Sequence, residues 1–220
     1  MKDNKDNIDK AYHDSKQYYD DILTHGSFLS KAYNKIFWGG TNDIEISNKI
    51  LSYIPDDFNG IILDVPVGTA VFTKDKWKSL KRATIACVDI SPDMLEKAKE
   101  KIDEPNIAYI KGDVGNLPFE DNRFDIVLSM NGFHAFPDKD KAFNEISRVL
   151  RKGGYLIGCF YIKGESKITD WLVNSILSKK GWFSPPFYTK NEVENLLSTK
   201  YFNINLNNDG SIVYFSCIKS

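Results

Sequence analysis

The sequence has no hydrophobic run long enough to cross a membrane, no closely spaced cysteine pair and no excess of either charge. Its longest apolar stretch, residues 155–162, is far shorter than the roughly 20 residues that a membrane helix needs. The 29 Lys and Arg nearly balance the 30 Asp and Glu, so the chain as a whole has no positive field for nucleic acid or anionic lipid. We expect no nucleic-acid partner and no stable membrane insertion, although a local basic patch stays open.

The cysteines are three in number and far apart. Cys87, Cys159 and Cys217 each lie in an apolar, strand-like run, without the spacing of a zinc or redox pair. We therefore expect small buried hydrophobic residues and no metal site. The charged start, MKDNKDNIDK, lacks the apolar centre of a secretory signal, which favours a cytoplasmic protein.

From residue 60 onward, short apolar runs alternate with helical patterns. The runs are residues 60–65, 83–90, 107–113, 124–130 and 154–162. The segment SPDMLEKAKEKI between two of them opens with a serine N-cap and a proline, which is typical of a helix start. Strands that are apolar on both faces and alternate with helices predict a parallel sheet covered by helices.

The end of the chain has a different pattern. Residues 201–207 and 211–218 are strand-like and are joined by the sequence NNDG, a strong hairpin signal. The fold predicted is α/β, with a doubly wound, mostly parallel seven-stranded sheet that ends in an antiparallel hairpin. Residues 1–43 are rich in Tyr, Phe and Trp, and we expect a helical lid there, with residues 44–220 as the main domain.

Polar residues end the predicted strands at one edge of the sheet. Asp64, Asp89 and Asp113 end the first three, and the fourth ends in Ser-Met-Asn. Ligands of open parallel sheets bind at this edge. Asp89, at the end of the second strand, is suited to accept the hydroxyl groups of a ribose. The stretch ILDVPVGTAVF, with Gly68, leads into a helix whose N–H groups favour an anionic group, so the pattern indicates an adenosine-like ligand.

A known family shows the same motifs in order and spacing. The series LDVPVGTA, VDISPDMLEKAKEK, KGDVGNLPFEDNRFDIVLS and RVLRKGGYLI resembles class I S-adenosylmethionine-dependent methyltransferases over roughly residues 44–218. The phrase LPFEDNRFDIV followed by RVLRKGG is characteristic of the small-molecule branch. The aromatic opening looks more loosely like ubiquinone and menaquinone C-methyltransferases.

The resemblance implies a Rossmann-like domain that binds S-adenosylmethionine. It also implies a transferase activity, in which a methyl group passes to a small-molecule acceptor by in-line displacement and S-adenosylhomocysteine is the product. Asp64 and the loop after it would hold the methionine part, and Asp89 the ribose. The loop after the third strand would read the adenine. The cofactor-binding residues implied are Asp64, Val65, Pro66, Gly68, Asp89, Ile90, Asp113, Val114, Ser129, Met130 and Tyr19.

Pro66 and Ala70 stand where the family typically has glycine. Proline fixes φ near −65° and has no N–H, and alanine disfavours positive φ. We therefore predict negative φ at Pro66 and Ala70, with Gly68 alone making the close approach.

One side chain near the transfer site could act as a base. His134 follows the fourth strand, and its ordinary pKa suits proton transfer; the alternative is that it only bonds backbone. Several aromatic residues are expected to form the wall of the substrate pocket; the alternative is ordinary packing against other apolar side chains. They are Tyr18, Tyr33, Trp38, Phe133 and Trp182. They favour an aromatic or apolar acceptor.

Two other functions stay open. A nicotinamide-dependent oxidoreductase would need a full GxGxxG loop and no terminal hairpin, and the sequence fits neither requirement. A non-catalytic module that only binds S-adenosylmethionine is favoured solely by the glycine-poor loop. We expect a monomer or a homodimer.

Overall fold

The computed structural model describes residues 43–220, with Asp43 by its backbone alone. The expected lid, together with Tyr18, Tyr19, Tyr33 and Trp38, lies outside the described residues.

Seven strands and six α-helices alternate along the described part of the chain. The strands are β1 Ile61–Asp64, β2 Thr84–Asp89, β3 Ile107–Lys111, β4 Phe124–Met130, β5 Leu150–Tyr161, β6 Tyr201–Asp209 and β7 Ile212–Lys219. The helices are α1 Asp43–Leu51, α2 Lys74–Ser79, α3 Pro92–Lys101, α4 Lys139–Val149, α5 Lys167–Leu172 and α6 Lys190–Ser198. A π-helical segment, Val173–Leu177, continues α5.

The strands form one sheet in the order β3-β2-β1-β4-β5-β7-β6. All neighbours pair in parallel except β7, which runs antiparallel to both β5 and β6. Leu63 of β1 pairs with Ala86 on one side and Val127 on the other. The predicted fold class is confirmed, and the strand order reverses between β1 and β4.

Two boundaries differ from expectation. The RKGG sequence, whose glycines are typical of a helix end, lies inside β5, because α4 ends at Val149 and β5 begins at Leu150. The hairpin turn falls after the NNDG asparagines, which instead pair with Tyr214 and Val213 of β7. Cross-strand hydrogen bonding extends β6 to Asp209. The turn therefore consists of Gly210, at φ +49°, and Ser211.

Local capping fixes where several helices begin. Asp138 caps α4 by accepting from the Lys141 N–H at 2.9 Å. Thr189 and Glu192 form a capping box at the start of α6. Ser91 takes the N-cap position of α3 as predicted, but its side chain makes no cap bond. The caps at Asp138 and Thr189 fix the residue at which each loop from the carboxyl edge of the sheet ends and its helix begins.

Each face of the sheet has its own apolar core. One core gathers α1, α2 and α3 with the segment after β5, and Trp77 is fully buried in it. The other gathers α4 and α6 with the loop after β4, including Phe133. The three cysteines are buried, as predicted, and are not joined in a disulfide bond. The sheet is therefore rigidly held on both sides, which fixes the ends of its strands.

Candidate functional site

A cavity opens where the strand order reverses, at the carboxyl ends of β1, β2 and β4. This is the place where open α/β sheets bind ligands. Its lining comprises Asp64, Pro66, Val67, Gly68, Thr69, Ala70, Val71, Phe72, Thr73, Asp89, Met130 and Asn131. Five residues predicted for the cofactor site, Asp64, Pro66, Gly68, Asp89 and Met130, are thus brought together.

Asp64 ends β1 at the floor of this cavity and is 1% exposed. The indole N–H of Trp77 donates to its Oδ2 at 2.8 Å. Trp77 comes from α2, thirteen residues further on, and is fully buried. The hydrogen bond therefore ties the first helix after the loop to the end of the first strand.

Burial governs the charge of Asp64. It raises the pKa of the carboxyl group to about 7, although the Trp77 hydrogen bond opposes the rise. The carboxylate of Asp89 nearby raises the pKa further. A positively charged ligand group at this carboxylate would favour its ionised form.

The loop after β1 contains two residues in the left-handed region. Gly68 has φ +55° and Ala70 has φ +56°, so the prediction of negative φ at Ala70 is wrong. The strain is compensated: the Ala70 N–H donates to Val67 O, its carbonyl accepts from the Lys74 N–H, both at 3.0 Å, and its methyl group is buried. Pro66 stays outside the left-handed region, as predicted.

Pro66 is accommodated by a glycine in another loop. A Cβ at Gly132 would lie 2.5 Å from Pro66 Cδ, 2.6 Å from Phe136 Cζ and 2.9 Å from Ser129 Oγ. The proline ring therefore occupies space that only a glycine at residue 132 leaves open. The peptide bond between Val65 and Pro66 is cis.

Asp89, at the end of β2, braces the loop around Gly68. Its Oδ2 accepts the Gly68 N–H and its Oδ1 accepts the Ser91 N–H, both at 2.9 Å. The side chain is buried, with 5% exposure. Each carboxylate oxygen can accept more than one hydrogen bond, so this bracing is compatible with contacts to ligand hydroxyl groups.

The end of β4 supplies the opposite wall. Met130 and Asn131 line the cavity, and the Asn131 N–H donates to Cys159 O at 2.8 Å. Ser129, also predicted for the cofactor site, lies one residue earlier and outside the lining. It is fully buried, and its hydroxyl has no partner within the described part of the chain. A buried hydroxyl is normally satisfied, so this one has capacity for a polar group of a ligand.

The remaining predicted cofactor residues do not line the cavity. Val65 is in the core and donates its N–H to Leu128 O at 3.0 Å. Asp113 Oδ1 accepts the Gly115 N–H at 2.9 Å, in the loop after β3. Val114 packs against the core on the α4 side, and Ile90 follows Asp89 half-buried.

His134 lies behind the cavity lining and is bonded to backbone. Its Nδ1 accepts the Tyr161 N–H at 3.2 Å, its carbonyl accepts the Ser184 N–H at 2.9 Å, and its ring stacks on Phe183 at 4.1 Å between centroids. Burial, and next the charge of Lys139, lower the pKa of the imidazole to about 3. The imidazole is therefore neutral and joins three segments of backbone.

Two aromatic residues predicted for the substrate pocket also lie outside the lining. Phe133 is 2% exposed and packs against Phe136 and Phe160, with ring centroids 5.3 Å and 5.2 Å away. Trp182 packs partly buried against the α1 side core, with the Lys180 ammonium 5.2 Å from its ring centroid. Both have ordinary packing neighbours.

The sequence alone does not assign Trp77, Asn131 or the loop residues 69–73 to the cofactor site. Trp77 has the position of a core residue in an amphipathic helix, and its polar partner is in another element. A weak signal existed for Asn131, since it directly follows a strand that ends at the ligand-binding edge. Only the fold shows that Asn131 lines the cavity and that Trp77 holds Asp64 from behind the lining.

The described residues contain neither a cluster of metal ligands nor a membrane-spanning helix. Within residues 43–220 no group of three or more His, Cys, Asp or Glu side chains could hold a metal ion. In the same range, no helix is both long enough and apolar enough to cross a membrane.

The donor set fits S-adenosylmethionine. That molecule carries an ammonium and a sulfonium, for which the buried carboxylates of Asp64 and Asp89 provide a negative environment. It also carries ribose hydroxyl groups and a carboxylate, which need acceptors and donors of the kind found at the loop around Gly68 and at Ser129.

Part of the chain is similar in sequence to known methyltransferases. Residues 63–158 match the family described as "Methyltransferase domain". The demethylmenaquinone methyltransferase of Staphylococcus saprophyticus is 41% identical over 97 residues, 43% of this chain and 42% of that protein. A ubiquinone/menaquinone biosynthesis C-methyltransferase of Campylobacter jejuni is 34% identical over 133 residues, 56% of either chain. The matches thus span less than two thirds of these relatives.

A solved structure shares the fold. Phosphoethanolamine N-methyltransferase 2 of Haemonchus contortus, in complex with S-adenosyl-L-methionine, superposes with a TM-score of 0.68 at 18% identity, over 86% of this chain and 56% of that one. Residues 63–158 are thus similar to a methyltransferase domain, and the described residues share the fold of that solved methyltransferase.

Proposed function

We propose that the protein transfers a methyl group from S-adenosylmethionine to a small-molecule acceptor. The observation that carries the proposal is the cavity at the strand-order reversal, where Asp64 and Asp89 are buried side by side around the Gly68 loop. The cofactor supplies an electrophilic methyl group on a sulfonium. The protein has to hold acceptor, methyl and sulfur in line, which lowers much of the barrier.

Each side chain has a proposed task. Asp64 accepts from the ammonium of the methionine part, since a carboxylate that accepts the Trp77 indole N–H has further acceptor capacity. Asp89 accepts from the ribose hydroxyl groups while it keeps the Gly68 N–H in place. The Ser129 hydroxyl binds a polar atom of the methionine part. Ile90, Asp113 and Val114 would take the adenine, and Tyr19 would contact the cofactor from the N-terminal segment.

We further propose that His134 has a structural rather than a catalytic role. Its Nδ1 already accepts the Tyr161 N–H, and its pKa of about 3 makes the imidazole too weak a base to take up a proton near neutral pH. Methyl transfer then needs no base from this residue, which suits an acceptor that ionises readily by itself. His134→Gln should lower stability but leave the pH profile of transfer unchanged; loss of the acidic limb of that profile, where a catalytic base would become protonated, would contradict this role.

The acceptor proposed is a small aromatic or apolar molecule. The supporting observations are the aromatic residues at the carboxyl end of β5 and the printed activities of two relatives, which are quinone methyltransferases. A phosphoethanolamine-type acceptor, as in the Haemonchus protein, is the contrasting class. A cytoplasmic location, an N-terminal lid in residues 1–43 and a monomeric or homodimeric state are part of the same proposal.

Transfer of a labelled methyl group tests the function. The protein would be incubated with methyl-labelled S-adenosylmethionine and separate pools of hydroxylated quinones, phenols and phosphoethanolamine, with products identified by mass spectrometry. Label should enter the apolar pools, and Asp64→Asn should abolish the transfer. The exposed Asp75→Asn in α2 is the matched control. Cofactor binding without transfer to any pool would favour the non-catalytic module.

A further inference from the structure

The segment after β5 presents an apolar outer face to solvent. α5 and the π-helical segment form one continuous helical stretch, residues 167–177. Its inner side buries Leu172, Val173 and Leu177. On its outer side Ile168 is 68% exposed and Trp171 is 62% exposed. Residues three apart are neighbours on a helix surface, so the two side chains form one patch.

These are the two most exposed of the five large hydrophobic residues on the described surface. A single exposed apolar residue needs no explanation. A tryptophan beside an isoleucine on a short amphipathic helix is, however, the arrangement by which helices bind at the interface of a bilayer. Tryptophan favours that position because its ring is apolar and its N–H is polar.

Lysines border the patch. Lys167 begins α5, and Lys179 and Lys180 follow the π-helical segment, all exposed. None of the three forms an ion pair with another residue of the 43–220 range. The two apolar residues Ile168 and Trp171, together with the three lysines, are called the Trp171 patch below.

The acidic groups nearby are already bound. Asp170 accepts the Tyr161 hydroxyl at 2.6 Å and the Gly164 N–H at 2.9 Å. Glu165 accepts from the Asn208 side chain at 3.3 Å. Both carboxylates keep their negative charge, so the three lysines leave the Trp171 patch with an excess of one positive charge, although the whole chain is nearly neutral. That charge is complementary to anionic headgroups.

The Trp171 patch is fixed to the same end of the sheet as the cavity. The segment that carries it is joined to the loop after β4 by the bond from Ser184 N–H to His134 O. Lys139 strengthens the joint, because its ammonium donates to Phe136 O at 3.0 Å and to Ser184 O. A surface bound at the patch would thus lie toward the carboxyl edge, where the cavity opens.

We propose that the Trp171 patch docks the protein reversibly on an anionic phospholipid surface. Ile168 and Trp171 enter the headgroup region, and Lys167, Lys179 and Lys180 face the phosphates. The docking goes beyond the proposed methyl transfer and does not depend on it. Because a few side chains and charges are involved, the binding should be weak and sensitive to salt.

Vesicle co-sedimentation of the full chain tests the proposal. Vesicles of phosphatidylcholine mixed with phosphatidylglycerol should bind the protein at low salt, and pure phosphatidylcholine vesicles should bind it about tenfold less. Ile168→Ser/Trp171→Ser, and separately Lys167→Glu/Lys179→Glu, should each reduce binding to the mixed vesicles by about tenfold. The affinity for S-adenosylhomocysteine should be the same in all variants, which separates this test from that of the methyl transfer.

A matched control is available on the opposite end of β5. Tyr155 and Phe202 are also exposed, at 46% and 48%, and Tyr155→Ser/Phe202→Ser should bind vesicles as the wild type does. Equal binding by the patch variant and the wild type would overturn the proposal, as would no binding to anionic vesicles. A wild-type dimer that the Trp171 patch variant dissociates would also overturn it, by showing that a second copy covers the patch.

Discussion

Trp77 donates its indole N–H to the buried carboxylate of Asp64 at 2.8 Å. The bond connects α2 to the end of β1 beneath the cavity. It has two effects, because it satisfies a buried acceptor and opposes the rise in the pKa of Asp64. The side chain proposed to bind the cofactor is therefore positioned by the hydrophobic core and not by the loop alone.

Trp77→Phe should weaken both folding and cofactor binding. Phenylalanine keeps most of the ring volume but leaves the Asp64 carboxylate without its indole donor, which costs about 1–3 kcal/mol of unfolding free energy. Urea denaturation measures that change, and calorimetry measures the affinity for S-adenosylhomocysteine. Trp182→Phe is the matched control, since Trp182 is only partly buried and lies outside the cavity lining. Equal effects of the two substitutions would contradict the role of the hydrogen bond.

The raised pKa of Asp64 makes stability depend on pH. Between about pH 4, the unfolded value, and about pH 7, the folded state holds a proton that the unfolded state has released. The Asp64 contribution to the unfolding free energy therefore falls as pH rises through that window. His134, with a pKa of about 3, gives the opposite slope between about pH 3 and pH 6.5.

Asp64→Asn separates the two slopes. The variant should gain stability relative to the wild type as pH rises from about 4 to 7, because it loses only the Asp64 contribution. Chemical denaturation at a series of pH values gives this difference directly. A difference that is constant over the whole range would show that the carboxyl group titrates normally in the folded state.

Substitution of the two left-handed residues of the loop should change the unfolding free energy by different amounts. Gly68→Ala places a Cβ in open space at φ +55°, so the cost is conformational, about 1–2 kcal/mol. Ala70→Gly relieves the same strain but removes a buried methyl group, so the net change should stay below about 1 kcal/mol. Thermal unfolding of the pair measures both, and a larger loss in Ala70→Gly would contradict this interpretation.

Gly132→Ala should disturb the loop from the other side. Its new Cβ would meet Pro66, Phe136 and Ser129 at under 3 Å, and such overpacking costs about 1–3 kcal/mol. We expect a loss of stability together with weaker binding of S-adenosylhomocysteine. Gly115→Ala is the control, since its nearest contact would be the flexible Lys141 side chain at 3.3 Å. Similar losses of stability and of binding in both variants would contradict the claim that residue 132 must be glycine to leave room for Pro66.

Much of the fold was readable from the sequence because its signals are local. Apolar runs and caps gave all seven strands, and the position of Asp64 and Asp89 at strand ends gave the cavity floor. The missed features depend on contacts between distant elements. Gly132 and Pro66 pack closely although they lie in different loops. Lys139 forms a hydrogen bond with Ser184, which is 45 residues away in the sequence.

The left-handed Ala70 was missed for a different reason. Its side chain disfavours the conformation that it adopts, and only the surrounding hydrogen bonds and burial hold it there. His134 illustrates the same limit for function. Its position after β4 is the one expected of a base, but burial and the bond to Tyr161 set its chemistry.

Calorimetric titration with S-adenosylhomocysteine tests the cofactor site most directly. The wild type should bind with a dissociation constant in the micromolar range, on the order of −8 kcal/mol. Asp89→Asn should weaken binding by about 10- to 100-fold, because it removes a charged acceptor, while Asp75→Asn should bind normally. Absence of saturable binding by the folded wild type at millimolar ligand would contradict the assignment of the cavity to the cofactor.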